Sequence, residues 1–290
     1  MIKASAPLQK EILHDQQNEI DAFYIYSTLA GKTSNTHNAK ILSSIASDEK
    51  NHYNILKNYT KKELNPKRLK IFLYIVLARV LGFTFALKLL ENAEQNAQDT
   101  YKKIGESYPE LKSITRDEEQ HERDLIDMIN EERLSYIGSV VLGLNDALVE
   151  LTGALAGFTF ALQDAQIIGV LGLITGIAAS LSMGASEYLS ATHEHQKNAG
   201  KAAGYTATAY VVTVMVLILP FLLLSDAFVS LVITIFLAIL IIAVFNYYVA
   251  VAKDFSFKKR FIEMASISLG VAGISFLIGV LVKSTLGVGL

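Results

Sequence analysis

The chain has 290 residues, a formal net charge of −2 and no cysteine. That length allows two domains of ordinary size, and the lack of cysteine excludes disulfides, thiolate metal sites and catalytic thiols. The near-neutral charge says little about partners, and no basic run suggests nucleic acid.

The overall composition conceals a division. From Tyr136 onward there are eight acidic residues and seven Lys or Arg, whereas the other twenty acids and nineteen bases precede it. The sequence therefore predicts an all-α chain with a charged, soluble helical domain over 1–135 and a membrane domain over 136–290. The first twenty residues, "MIKASAPLQKEILHDQQNEI", have no apolar core, so no cleavable secretory signal is expected.

The first domain reads as an internal repeat. "EIDAFYIY" and "EQNAQDTY" both follow Glu-x-x-Ala-x-x-x-Tyr: Glu19, Ala22, Tyr26 and Glu94, Ala97, Tyr101. Each is followed by a Glu-x-x-His pair, Glu49–His52 in "SDEKNHYNIL" and Glu118–His121 in "DEEQHERDL". The Glu-to-Glu separation is 30 residues in the first unit and 24 in the second, which fits two helices joined by a short turn. Residues at i and i+3 share a helix face, so each Glu-x-x-His can hold one ion. Two such helices and one Glu from each of two others make the ligand set of a dinuclear metal bundle. Buried carboxylates are costly without a cation, so a metal explains acids that face a core. With no thiolate, His and carboxylate ligands favour iron, manganese or zinc. Pro66 in "NP" and Pro109 in "SYPE" mark expected starts of the later helices.

Between the repeats lies "LKIFLYIVLARVLGFTFALKLLE", Leu69 to Glu91, apolar enough to suggest a further span. Arg79 at its middle is costly in lipid, and a span here would put the two halves of the repeat on opposite sides of the membrane. The segment is read as a crossover helix that packs on the bundle or lies on the membrane surface.

Five later stretches are long and apolar enough to cross a bilayer, which takes about 20 residues: roughly Ile137–Leu162, Ile167–Leu189, Tyr205–Leu224, Ala227–Ala252 and Phe261–Val282. The first and third links carry Asp164 and Asp226 and no base. The second and fourth carry Lys197 and Lys201, then Lys253, Lys258, Lys259 and Arg260. The positive-inside rule puts the basic links and the N-terminal domain in the cytoplasm and the C-terminus outside. Acids occur inside the spans: Asp146 and Glu150 in "VLGLNDALVELTG" and Glu187, four after Met183, in "SLSMGASEYLS". Ionisable groups at membrane depth line pathways, and a mixed oxygen and thioether set suits a divalent transition ion. "HEH", His193 to His195, reads as a solvated turn, with metal transfer as the alternative.

On these motifs, residues 8–133 resemble the rubrerythrin branch of the ferritin-like proteins. The resemblance implies a four-helix bundle with a non-haem di-iron site. Glu49 and Glu118 would bridge the metals, His52 and His121 would each cap one, and Glu19 and Glu94 would be terminal ligands. Glu91, one turn before Glu94, matches the family's extra Glu and implies a redox-linked ligand exchange. Tyr26 and Tyr101 either hydrogen-bond near the site or pack. The rubredoxin-type iron centre of that family has no cysteine ligands here. "VVLGLNDALVELTGALAG" and "SLSMGASEYLS" resemble the vacuolar iron transporter family over residues 137–289. That resemblance implies a homodimer that moves Fe2+ out of the cytoplasm against protons, with Asp146, Met183 and Glu187 lining its pathway. Many relatives carry a Glu-rich helical insert after the second span, whereas this chain has only "SATHEHQKNAGKAAG". The combination resembles the membrane-bound ferritin-type proteins.

The expected protein is thus a multi-pass, plasma-membrane iron(II) exporter whose bundle collects, senses or oxidises iron. Its expected partners are Fe2+, protons, lipid and a second copy. A membrane-anchored di-iron oxidase or peroxidase, and a manganese(II) transporter of the same architecture, are the alternatives.

Overall fold

The structure is a computed structural model, and it describes residues 6–92, 109–127, 136–195, 198–253 and 255–286. It is all-helical among those residues and divides into two compact units, Met1–Glu131 and Glu132–Leu290.

The first unit is built on a long antiparallel pair, α1 (Ala6–Ala30) and α2 (Thr36–Thr60). Asn35 caps α2, its side chain accepting from the backbone N–H of His37 at 2.9 Å and Asn38 at 3.2 Å. Such a cap satisfies donors that the first helical turn cannot. At the other end Lys61 takes the left-handed conformation (φ 56°) and its N–H closes on Lys57 O. Ala22, Ile25, Tyr26 and Leu29 of α1 pack against Leu42, Ile45 and Ala46 of α2. Tyr26 and Ala22, two members of the sequence repeat, are therefore core residues.

The loop from 61 to 67 is pinned by buried polar groups. Gln16 Nε2 donates to Lys62 O at 2.8 Å and Thr60 Oγ1 donates to Gln16 Oε1 at 2.5 Å. The fully buried Asp21 accepts from Lys67 N at 2.7 Å and sits 3.5 Å from Lys70 Nζ. These contacts correct one expectation. Pro66 does not lie in a first helical turn. Asp21 takes the Lys67 N–H, Lys67 stays extended (ψ 91°), and α3 begins at Arg68.

The apolar 69–91 segment is broken. Helix α3 (Arg68–Leu81) ends at Gly82, whose φ of 102° suits a residue without Cβ. A second helical stretch, α4, covers residues 83–92. At about 1.5 Å per residue α3 is roughly 21 Å long, short of a hydrocarbon core of about 30 Å. Tyr74 and Ala78 of α3, with Ala86, Leu87 and Leu90 of α4, join the bundle core, so this segment packs on the bundle. Helix α5 (Pro109–Asp127) brings Leu125 to the same core, and the expected start at Ser107–Glu110 falls partly outside the described residues.

The second unit contains α6 (Ile137–Leu162), α7 (Ala165–His193), α8 (Ala199–Leu223), α9 (Ala227–Lys253) and α10 (Phe257–Leu286). All five are long and apolar enough to cross a membrane. Helices α7 and α10 outrun their apolar windows at both ends because polar end turns continue them. Asp164 caps α7 by accepting from Ile167 N at 2.9 Å, and Asp226 accepts from Val229 N at the start of α9. Ser230 and Thr234 of α9 donate to the carbonyls of Pro220 and Leu217 on α8. His193 to His195 are exposed at the end of α7, with His195 at φ 55°.

Small residues set the spacing of this unit. A Cβ on Gly143 of α6 would strike the backbone carbonyl of Thr206 on α8, and one on Gly279 of α10 would strike that of Gly157 on α6. Lipid gives no hydrophobic drive between helices, so close backbone approach is what holds them. Gly143→Leu is expected to cost about 1–3 kcal/mol through overpacking. The check is a lowered unfolding midpoint in detergent, with Gly270→Ala, where nothing lies within 4 Å, left near the parent value.

Candidate metal centre and membrane carboxylates

Glu19 projects from α1, Glu49 and His52 from α2, and Glu118 and His121 from α5. The i,i+3 spacing aims each Glu and its His to one side of their helix. Both pairs are buried, and so is Glu19. One ligand atom each from Glu19, Glu49, His52 and Glu118 lie within 4.8 Å of one another. His52 Nδ1 is 3.5 Å from Glu19, 3.4 Å from Glu118 and 4.0 Å from Glu49. His121 Nδ1 is 3.5 Å from Glu49 and 3.8 Å from Glu118. The two imidazole centroids are 6.0 Å apart. The two Glu-x-x-His motifs thus face each other, each His between its own Glu and that of the other motif.

The outer ring nitrogens explain how the rings are held. His52 Nε2 meets Asp117 at 3.4 Å and His121 Nε2 meets Asp48 at 3.2 Å. Asp48 directly precedes Glu49 and Asp117 directly precedes Glu118, so the repeat is Asp-Glu-x-x-His. Each Asp crosses to the His of the other repeat. A carboxylate on the outer nitrogen turns the inner one toward the centre and raises its basicity. Sequence reasoning missed both aspartates, although the doubled "DE" before each x-x-His carried the signal.

The inner atoms fit a metal. Both Glu49 oxygens and both Nδ1 atoms are buried and make no hydrogen bond. Buried polar groups are almost always paired, and a donor set of carboxylate oxygen and imidazole nitrogen suits iron or manganese. The charge balance agrees. Burial, then the neighbouring Glu118 and Glu19, raises the Glu49 carboxyl well above the usual range. Burial works against ionised Glu118, but the two imidazoles outweigh it and bring that group to about 2. Burial likewise opposes the charged form of His121, yet Glu118 and Glu49 raise it to about 11. His52 is raised in the same way, against its own burial, by Glu118 and Glu49. Without metal, protons hold together a cluster of like charges.

Of the other expected ligands, Glu91 is half-buried on α4 and is not in that group of four. Glu94, with Ala97 and Tyr101, falls outside the described residues.

In the second unit, Asp146 is half-buried and Glu150 is exposed on α6, and Glu187 and Met183 are half-buried on α7. Met183 packs against the apolar core of the unit. Tyr210 of α8 donates to Glu150 Oε2 at 2.7 Å, and Ser139 of α6 donates to Glu187 Oε1 at 2.6 Å. Thr206 in turn donates to Ser139 O at 2.9 Å. Tyr210 and Ser139 were not anticipated; their only trace is a polar group inside an apolar run. Among the described residues these acids are not gathered into a metal-sized group of three.

A helical bundle with a buried carboxylate and histidine cluster, continued by five apolar helices of membrane-crossing length, is the architecture of an integral membrane metalloprotein. Two family models match the chain: Rubrerythrin over residues 15–133 and the VIT family over residues 137–200. The chain thus carries a rubrerythrin domain followed by a VIT family domain, and together they support a membrane metal transporter with a di-iron domain. No curated protein matches it.

Two outcomes are expected. A metal displaces the proton of His121, so Mn2+ affinity for the bundle should rise at least about tenfold per pH unit between pH 6 and 8. Calorimetry in buffers of different ionisation enthalpy should show proton release, and a pH-independent affinity would contradict the assignment. Asp48→Ala or Asp117→Ala should weaken metal binding about 10–100-fold, whereas Glu119→Ala, an exposed neighbour, should not.

Proposed function

We propose that this protein exports iron(II) from the cytoplasm in exchange for protons, as a homodimer in the plasma membrane, with its bundle on the cytoplasmic side. The observation that carries this reading is Asp146. It stands nine residues beyond the start of α6, with Glu150 one turn further along the same face. A membrane anchor needs no acids at that depth, where each is costly. Asp146, Glu150 and Glu187 offer hard oxygens and Met183 a soft sulfur, a set suited to a divalent transition ion. A carboxylate must lose its proton to bind such an ion, so metal and proton occupancy alternate at one group. That alternation is the basis of the exchange. A second copy placed alongside would bring further carboxylates to a shared pathway.

Orientation rests on the links. Lys197, Lys201, Lys253, Lys258, Lys259 and Arg260 lie in the links between α7 and α8 and between α9 and α10 or in the helix turns beside them, and the other two links hold no Lys or Arg. The positive-inside rule makes the former cytoplasmic.

In the bundle, Glu19, Glu49, His52, Glu118 and His121, together with Glu91 and Glu94, would hold the two irons. Iron bound there supplies one-electron redox chemistry. The residues themselves gather the ion from the cytoplasm and exclude water from it. Because the cargo is iron(II), collecting or sensing ranks above ferroxidase turnover.

The test is iron(II) flux in proteoliposomes under an imposed pH gradient. Flux should need the gradient and fall about tenfold or more in Asp146→Asn, since the neutral amide cannot exchange a proton for metal. Glu49→Ala/Glu118→Ala should change the iron concentration that gives half-maximal flux and leave the gradient requirement intact. Competition with Mn2+ ranks the two metals. If no variant moves iron or manganese while the intact protein consumes oxygen or peroxide, a membrane-anchored di-iron oxidase or peroxidase replaces the exporter.

A further inference from the structure

The side of α3 that the bundle does not use is apolar. Leu69, Phe72, Leu73, Val76 and Val80 fall in one arc of about 100° around the helix. Leu69 is 81 % exposed, Phe72 63 % and Val80 62 %, whereas Tyr74 and Ala78 across the helix are buried. Arg68 and Arg79 line one flank of that arc, Lys67 directly precedes the helix, and no residue from Arg68 to Leu81 is acidic. Scattered exposed apolar residues are ordinary, but a contiguous stripe marks an interaction surface.

We infer that α3 lies in the plane of the bilayer surface, its stripe among the acyl chains and Arg68, Arg79 and Lys67 on the headgroups of anionic lipid. An apolar face flanked by cations is the pattern of interfacial helices. The helix is too short to span, and Gly82 ends it. Charge argues against a second copy as the occupant. A two-fold contact sets the same patch against itself, and on this face Arg would meet Arg with no acid on α3 between them. An anionic leaflet supplies the missing charge. The inference rests on the second unit residing in a membrane and is independent of transport.

The absence of native cysteine permits a direct test. A nitroxide is placed at Val76→Cys in the full chain, with Val80→Cys as a second site and the exposed Ser44→Cys on α2 as reference. The protein is reconstituted in liposomes containing phosphatidylglycerol. Relative to Ser44, the α3 labels should collide less with a water-soluble nickel chelate and more with oxygen, each by about threefold, as for an interfacial depth. Arg68→Gln/Arg79→Gln, or purely zwitterionic lipid, should reverse most of the change. Labels as open to the chelate as Ser44 overturn the inference. Labels shielded from both reagents, with strong dipolar coupling between two copies, overturn it in favour of a dimer contact.

Discussion

Like charges buried together are the constraint on which the first unit depends. Glu19, Glu49 and Glu118 converge in a space from which water is excluded, and carboxylates at that range cannot all stay ionised without a counter-charge. Every surrounding feature answers this. His52 and His121 place positive charge between the acids, Asp48 and Asp117 fix the rings from outside, and the unpaired atoms of Glu49 point where a cation would sit. The polar clamp of Asp21, Gln16 and Thr60 serves the same end indirectly. It holds the loop after α2 and keeps α1 and α2 in the register that brings Glu19 opposite His52.

The second unit meets the same problem in a different solvent. An acid in a lipid-facing helix has no water to turn to, and here protein hydroxyls take part of that role. Tyr210 serves Glu150 and Ser139 serves Glu187, each from a neighbouring helix. Those bonds need helices close enough for a side chain to cross, which Gly143 permits where α6 meets the backbone of α8. Packing and polar satisfaction are therefore one arrangement: the small residues that let helices approach also put donors within reach of the acids.

Much of this was legible beforehand because helical periodicity is local. The i,i+3 pairs Glu49–His52 and Glu118–His121 follow from 3.6 residues per turn. The five membrane-length helices follow from hydrophobic run length against bilayer thickness. The apolar 69–91 segment was harder, since composition alone does not show where a helix stops. Gly82 broke it, and Arg79 emerged, exposed, near the C-terminal end of α3 rather than at the centre of a span. Pro66 misled for a related reason, because the buried carboxylate of Asp21, 46 residues from Lys67, settled where the next helix began.

By itself, then, the sequence determined the helical class, the two-part division and the paired spacing of Glu49 with His52 and of Glu118 with His121, because each is written in short-range spacing or composition. Only the tertiary structure decided who meets whom. That Asp48 braces His121 and Asp117 braces His52, that Tyr210 reaches Glu150, and that one face of α3 is buried while the other stays open are matters of register between helices distant in the chain. Register is set by the packing of side chains that no local pattern encodes.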